Sequence, residues 1–140
     1  MKPQFDLRLM LVTDDAMCAG RGLVNTVLEA VAGGVTIVQL RDKTASDADL
    51  AATAAVLKDA LAPTGVPLIL NDRPSVAKAA GLAGAHIGQD DGHPAAARAI
   101  LGPDALIGLS VTRAAELATV DPAVVDYVGL GPVLPTGSKA

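Results

Sequence analysis

Short runs of hydrophobic residues alternate along this chain with segments in which apolar residues recur every three or four positions. The short runs are rich in Val, Leu and Ile and predict buried strands, whereas the longer spacing predicts amphipathic helices. The predicted strands are 7–12, 36–40, 67–70, 85–87, 105–109 and 125–130. The predicted helices lie at about 22–32, 47–61, 74–81, 94–101 and from 111 or 112 to 118.

This alternation predicts a parallel α/β sheet with right-handed crossovers. A polar or charged cluster follows each predicted strand. In a flat sheet the first and sixth strand ends would lie more than ~20 Å apart. In a closed barrel they ring one mouth, which is where barrel enzymes place their active sites. We therefore predict a TIM (β/α)8 barrel fold.

The chain has 140 residues and is predicted to form a single domain over 1–140. A TIM barrel usually needs at least ~200 residues. About six strands are predicted here, so we expect an incomplete barrel that lacks about two C-terminal βα units.

Composition narrows the possible partners. Hydrophobic residues make up 51% of the chain, which excludes a disordered segment, and the net charge of −4 argues against a nucleic-acid surface. Phe5 and Tyr127 are too few to form a base-stacking platform. Yet Arg41, Lys43, Arg73 and Lys139 all follow predicted strands. Cations gathered at one end of an acidic protein indicate a phosphorylated small-molecule ligand.

The single cysteine, Cys18, permits no internal disulfide, which suits a reducing compartment. The N-terminus lacks the apolar stretch of a signal peptide, and no apolar run is long enough to span a membrane. We expect a cytoplasmic location and no membrane partner.

Gln39, Arg41 and Lys43 occupy alternate positions directly after the second strand. In extended backbone their side chains point the same way, so the guanidinium and the ammonium form a suitable diphosphate clamp. The alternative is a solvated loop in which Arg41 pairs with Asp42.

Carboxylates follow the third and fourth strands. Asn71 and Asp72 come after one, and Asp90 and Asp91 come after the next. Carboxylates from adjacent strand ends, together with substrate phosphates, are a common way to hold Mg²⁺. The alternative is that these acids cap the helices that begin near Pro74 and Pro94, and the spacing leaves both possibilities open.

Two further features complete the candidate chemistry. His86 lies within the fourth strand without the spacing of a zinc site, which favours a hydrogen-bonded core residue. Thr136, Ser138 and Lys139 belong to a Gly/Pro-bounded loop that differs from a Walker A motif in order. That loop is predicted to close over an anionic substrate, or else to be a disordered tail.

These motifs together resemble the thiamine-phosphate synthase (thiamine-phosphate pyrophosphorylase) family. The resemblance rests on segments 38–43, 71–73, 86–91, 108–110 and 127–136, which occur in order. It implies a TIM barrel transferase that couples hydroxymethylpyrimidine diphosphate with thiazole phosphate. The implied products are thiamine phosphate and diphosphate, formed by an Mg²⁺-dependent dissociative substitution.

The resemblance also implies roles for individual residues. Asp72 and Asp91 would hold Mg²⁺, and Arg41, Lys43 and Lys139 would stabilise the departing diphosphate. Gln39 and Asn71 would position the pyrimidine diphosphate, Ser110 would contact it, and Thr136 and Ser138 would bind the thiazole phosphate. No residue is expected to act as a general acid or base. Because the family's last two strands carry part of the thiazole phosphate site, the isolated chain is expected to be inactive.

The sequence leaves two alternatives open. The first is a thiazole tautomerase-like relative; Asp91 and Pro132 favour the synthase, because that group tends to lack the second acid and to carry His in place of the proline. The second is a non-catalytic phosphate-binding partial barrel, which the length of the chain makes conceivable.

Overall fold

The computed structural model describes residues 4–137, within which strands and helices alternate along the chain. The strands are β1 (Met10–Val12), β2 (Ile37–Leu40), β3 (Leu68–Asn71), β4 (Gly84–Ile87), β5 (Leu106–Val111) and β6 (Tyr127–Leu130). The helices are α1 (Asp15–Cys18), α2 (Leu23–Ala32), α3 (Asp47–Leu61), α4 (Pro74–Ala79), α5 (Pro94–Leu101) and α6 (Ala114–Leu117), with a 3-10 turn at Ala62–Thr64.

The six strands form one parallel sheet in the order of the sequence. Met10 on β1 and Tyr127 on β6 nevertheless meet across its inner face, with Sδ 4.0 Å from the phenolic oxygen. Strands one and six of a flat sheet would be roughly 24 Å apart. The sheet is therefore curled into part of a barrel, which confirms the predicted fold class.

Side chains alternate between the two faces of the sheet and build two cores. The larger core lies between the outer face and the helices, and it includes Val38, Leu70 and Ile87 from the strands. The stripe predicted for α3 is buried in this core, namely Leu50, Ala54, Leu57 and Leu61.

The smaller core lies inside the curl, near the amino-terminal ends of the strands. It consists of Ile37, Ile69 and Leu106, with Met10 and Tyr127 packed against it. Towards the carboxyl ends, the same inner face carries polar side chains instead. The inside of the curl therefore changes from apolar to polar along the strands and opens at the polar end.

Local signals explain several element boundaries. The Ser46 hydroxyl accepts a hydrogen bond from Asp49 N at 3.1 Å and begins α3, as the sequence predicts. The Asp14 carboxylate accepts one from Met17 N at 3.0 Å and begins α1, a short helix that the sequence did not predict.

The first and last strands are shorter than predicted. β1 begins at Met10, and the preceding Leu9 is half exposed. β6 begins at Tyr127 because residues 122–124 form a turn, after which Val125 N donates to Asp121 O at 2.9 Å. Within the described residues, every helix is too short or too polar to cross a membrane.

Candidate active site

Two carboxylates from neighbouring strand ends meet at the polar mouth of the curl. Asp72 directly follows β3, and its N–H donates to His86 O at 2.7 Å. Asp91 lies four residues beyond β4, and its carboxylate accepts a hydrogen bond from Gly88 N at 2.7 Å. The two side chains share a hydrogen bond.

Up to about pH 6 the two acids share a single proton. Burial, followed by the hydrogen bond and charge of Asp91, raises the pKa of Asp72 to about 6. The hydrogen bond from Asp72 lowers the pKa of Asp91, and the Gly88 N–H adds to the effect. Asp72 is therefore the group that carries the proton.

Cations face this pair from the loop after β2. The positive charge of Lys43 lowers the pKa of both Asp72 and Asp91, and that of Arg41 lowers the pKa of Asp72. The backbone of Arg41 is fixed because its N–H donates to the Thr13 hydroxyl at 3.0 Å. Two carboxylates and two cationic side chains, from the ends of β2, β3 and β4, thus lie close enough at the mouth for their charges to interact.

The donor set at the mouth fits a hard divalent cation. Two carboxylates in contact repel each other unless a proton or a cation lies between them. Mg²⁺ is usually held by one or two carboxylates together with water and substrate phosphates. Across residues 4–137 no group of three His, Cys, Asp or Glu side chains converges, so Asp72 and Asp91 are the acidic donors available at this position.

Neither acid caps a helix, although both caps were open alternatives. The N-cap of α4 is Arg73, whose side chain makes no capping bond. The N-cap of α5 is His93, whose Nδ1 accepts from Ala95 N at 3.2 Å. Of the two candidates after β4, Asp91 joins Asp72, whereas Asp90 lines a separate cleft.

Arg73 is not placed as the sequence suggested. Its position after a strand predicts a cation that meets a phosphate, but its guanidinium turns back to the loop between β2 and α3. There it donates to Ala45 O at 2.7 Å and contacts the Asp47 carboxylate at 3.2 Å. Sequence reasoning missed this contact because the backbone at Arg73 is left-handed, with φ 42°, which no periodicity indicates.

Asp42 also folds that loop, through hydrogen bonds to the residues that follow it. Its Oδ1 accepts hydrogen bonds from Thr44 N and Ala45 N, each at 2.9 Å, and from the Thr44 hydroxyl at 3.0 Å. These backbone bonds lower the pKa of Asp42. The Asx turn was recognisable in the Asp-x-Thr-Ala-Ser sequence, because Asp commonly bonds the backbone two residues onward.

His86 is a buried, hydrogen-bonded residue of the inner face, as predicted. Its Nδ1 lies 2.8 Å from the Tyr127 hydroxyl, and its Nε2 lies 2.8 Å from the Ser110 hydroxyl. Burial raises the pKa of Tyr127, so the phenol stays protonated. Gly108 leaves room for these hydrogen-bonded side chains, since a Cβ at this position would overlap the Tyr127 ring and His86 Nδ1.

The remaining predicted residues are placed at different depths. Gln39 is 3% exposed, and its amide nitrogen lies 3.3 Å from Met10 Sδ, so it sits beneath the mouth. Asn71 ends β3, immediately before Asp72, and is half-buried. Ser110 is bound by His86 as described above.

The predicted residues of the loop after β6 are only partly described. Thr136 is exposed beyond β6, and Ser138 and Lys139 lie outside the described residues.

The sequence matches the family described as "Thiamine monophosphate synthase" over residues 9–140. It is 58% identical over 139 residues to the thiamine-phosphate synthase of Azorhizobium caulinodans, covering 99% of this chain and 66% of that protein. It is 56% identical to the one from Xanthobacter autotrophicus, covering 100% and 66% respectively.

The fold is also similar to that of a solved structure. The thiamine phosphate pyrophosphorylase from Pyrococcus furiosus superposes with a TM-score of 0.83 at 30% identity, covering 93% of this chain and 62% of that one. The chain thus spans slightly less than two thirds of the length of the relatives it matches.

Proposed function

Because this chain belongs to the thiamine monophosphate synthase family, we propose that it provides the pyrimidine-diphosphate side of a magnesium-dependent transferase site. The reaction joins hydroxymethylpyrimidine diphosphate to thiazole phosphate and gives thiamine phosphate and diphosphate. The observation that carries the proposal is the contact between Asp72 and Asp91 under the charge of Lys43.

This reaction requires stabilisation of the negative charge that develops on the departing diphosphate. The bond between the pyrimidine methylene carbon and the diphosphate oxygen breaks, and its electron pair leaves with the diphosphate. The lone pair of the thiazole nitrogen then forms the new carbon–nitrogen bond. Because neither step requires a proton acceptor, cations that meet the departing diphosphate are sufficient, and we assign this role to Arg41 and Lys43.

Asp72 and Asp91 would hold the Mg²⁺. When bound, the ion supplies positive charge to the diphosphate oxygens. Their carboxylates would hold the ion within range of the Lys43 charge, which already acts on both of them. Asp72 must release its proton for this role, which occurs as the pH rises through about 6.

The other residues complete the substrate contacts in this proposal. Asn71 binds the diphosphate from the rim of the mouth, and Gln39 and Ser110 contact the pyrimidine from within the curl. The His86 hydrogen bond fixes the orientation of Ser110. Thr136 and Ser138 would bind the thiazole phosphate, and Lys139 would add positive charge at the departing diphosphate. The enzyme works in the cytoplasm, which the lone buried cysteine suits.

Calorimetry on the protein tests the proposal directly. Hydroxymethylpyrimidine diphosphate is titrated with and without Mg²⁺, and thiazole phosphate is titrated as the second ligand. We expect pyrimidine diphosphate binding to require Mg²⁺. Binding that is equally tight without the metal would contradict the proposal and would favour a phosphate-binding module. Conversion of a thiazole tautomer without diphosphate release would instead favour the tautomerase-like alternative, which the relatives above do not support.

A further inference from the structure

Two consecutive residues at the end of β3 adopt left-handed backbone. Asp72 has φ 58° and Arg73 has φ 42°. Aspartate is tolerated in this region, but a long side chain is uncommon there, and glycine would adopt it without strain. Strained residues persist where the surrounding structure holds them, and they concentrate at functional sites. The presence of arginine instead of glycine points to a task for its side chain.

The guanidinium of Arg73 crosses to the loop that carries Lys43. Nη1 donates to Ala45 O at 2.7 Å and to the Asp47 carboxylate at 3.2 Å, while Nη2 lies 3.4 Å from Lys43 O. The side chain is 26% exposed, so these bonds are partly shielded from water. A single planar group thus binds the loop after β2 at Lys43 and Ala45 and the first residue of α3, Asp47.

The left-handed backbone at Asp72 and Arg73 also explains how one turn directs two side chains to different places. Asp72 points into the mouth and contacts Asp91, whereas its neighbour Arg73 points away to Ala45. The position of the acid pair and the position of the Lys43 backbone are therefore set by adjacent residues of one turn. Lys43 is exposed and its side chain is flexible, so the placement of its charge depends on that backbone.

We propose that Arg73 is a positioning residue, which holds the loop of residues 42–46 so that Lys43 faces the Asp72–Asp91 pair and the bound diphosphate. The inference rests on the proposed function for its ligand, while the bracing of the loop is independent of it. Arg73 itself does not contact the substrate.

Arg98 provides a matched control. Its guanidinium also binds backbone carbonyls and one carboxylate: it donates to Ala105 O at 2.6 Å, to Val124 O at 2.8 Å and to Asp126 at 2.8 Å. These acceptors precede β5 or β6, at the amino-terminal end of the sheet. Arg98 therefore performs the same kind of bracing at the end opposite the mouth.

The experiment compares Arg73→Lys, Arg73→Gly and Arg98→Lys. Lysine keeps the charge but cannot bond three acceptors in a fork, and glycine removes the side chain while relieving the backbone strain, which protects the fold. Two quantities are measured in each variant. The first is hydrogen exchange at the Thr44 and Ala45 amides, and the second is calorimetric affinity for inorganic diphosphate with Mg²⁺.

In both Arg73 variants we expect faster exchange at these amides and about tenfold weaker diphosphate affinity. Arg98→Lys should leave both quantities unchanged in the folded protein. Adding Lys43→Ala to Arg73→Gly should weaken binding no further than Lys43→Ala alone, because both changes remove the same contact.

The outcomes separate the inference from the proposed function. Unchanged exchange at Thr44 and Ala45 in Arg73→Gly, or wild-type affinity in Arg73→Lys, would overturn the positioning role. Additive losses with Lys43→Ala would overturn it as well. If the unaltered protein bound no diphosphate while Arg73→Gly loosened the loop, the proposed function would fail and the bracing would stand.

Discussion

The carboxyl groups of Asp72 and Asp91 share a hydrogen bond although they come from the ends of different strands. Asp72 is fixed by its backbone bond to His86 O, and Asp91 by the bond from Gly88 N to its carboxylate. Held together in this way, the pair retains up to about pH 6 a proton that an isolated aspartic acid would release near pH 3.8. The pair therefore forms a binding site for positive charge. A proton occupies it at low pH, and a metal cation can replace the proton at higher pH.

Stability should depend on pH through Asp72. Its pKa of about 6 in the folded protein exceeds the usual value of 3.8. Folding thus favours the protonated acid, and this contribution to stability is complete below pH 3.8 and is lost as the pH rises through about 6. Asp72→Asn keeps a neutral group and suits the left-handed backbone. The difference in unfolding free energy between the variant and the unaltered protein should therefore favour the variant more at about pH 7.5 than at about pH 5.

Urea unfolding at the two pH values, without divalent cations, measures this change. Asp90→Asn is the matched control, because Asp90 lies next to Asp91 in the chain but outside the pair. A constant difference between Asp72→Asn and the unaltered protein at both pH values would show that the two acids do not share a proton.

Asp91→Asn should weaken Mg²⁺-dependent diphosphate binding by at least about tenfold, or ~1.4 kcal/mol, because an amide is a poorer magnesium ligand than a carboxylate. Calorimetry with diphosphate at saturating and at zero Mg²⁺ gives the comparison. Asp90→Asn serves again as the control and should bind as the unaltered protein does. Equal losses in the two variants would indicate a general effect of negative charge instead of a ligand.

Arg41→Ala should reduce the affinity for Mg²⁺-diphosphate by about 2 kcal/mol, or ~30-fold, since a charge-assisted hydrogen bond to phosphate is lost. The affinity is measured by calorimetry at constant ionic strength. Arg8→Ala is a suitable control, because Arg8 is exposed before β1 and paired with Asp6. If both variants lost affinity equally, net charge and not a specific contact would account for the binding.

Gly108→Ala should destabilise the fold by about 2–3 kcal/mol. Its Cβ would overlap the Tyr127 ring and His86 Nδ1, so the side chains must separate and their hydrogen bond is lost. Chemical denaturation measures the loss. Gly20→Ala is the control, since its Cβ would meet no atom within 4 Å and should change stability little. A Gly108 variant as stable as the Gly20 variant would mean that the inner face can repack.

The sequence predicted the parts of the fold that depend on periodicity. The α3 stripe from Leu50 to Leu61 and the parallel order of the strands follow from spacing alone, because burial selects apolar residues at regular intervals. The convergence of Asp72 and Asp91 was also predictable, since adjacent parallel strands end at the same edge.

What the sequence could not predict depends on individual dihedral angles and side-chain directions. Strand spacing alone left Asp90 and Asp91 equally available, and only the family resemblance favoured Asp91; the structural reason is the turn that lets Gly88 N reach the Asp91 carboxylate. The inward chain from Tyr127 through His86 to Ser110 requires residues far apart in sequence. Arg73 was grouped with the ligand-binding cations because its charge was visible and its left-handed backbone was not.

The turn at residues 71–74 imposes a limit on evolutionary variation in length. Asp72 and Arg73 serve opposite sides of the same short segment, and Pro74 begins α4 immediately afterwards. Replacing one side chain alters one of these connections, whereas inserting or deleting a residue would rotate both at once. Homologous chains can therefore exchange residues in this segment but are expected to retain its number of residues.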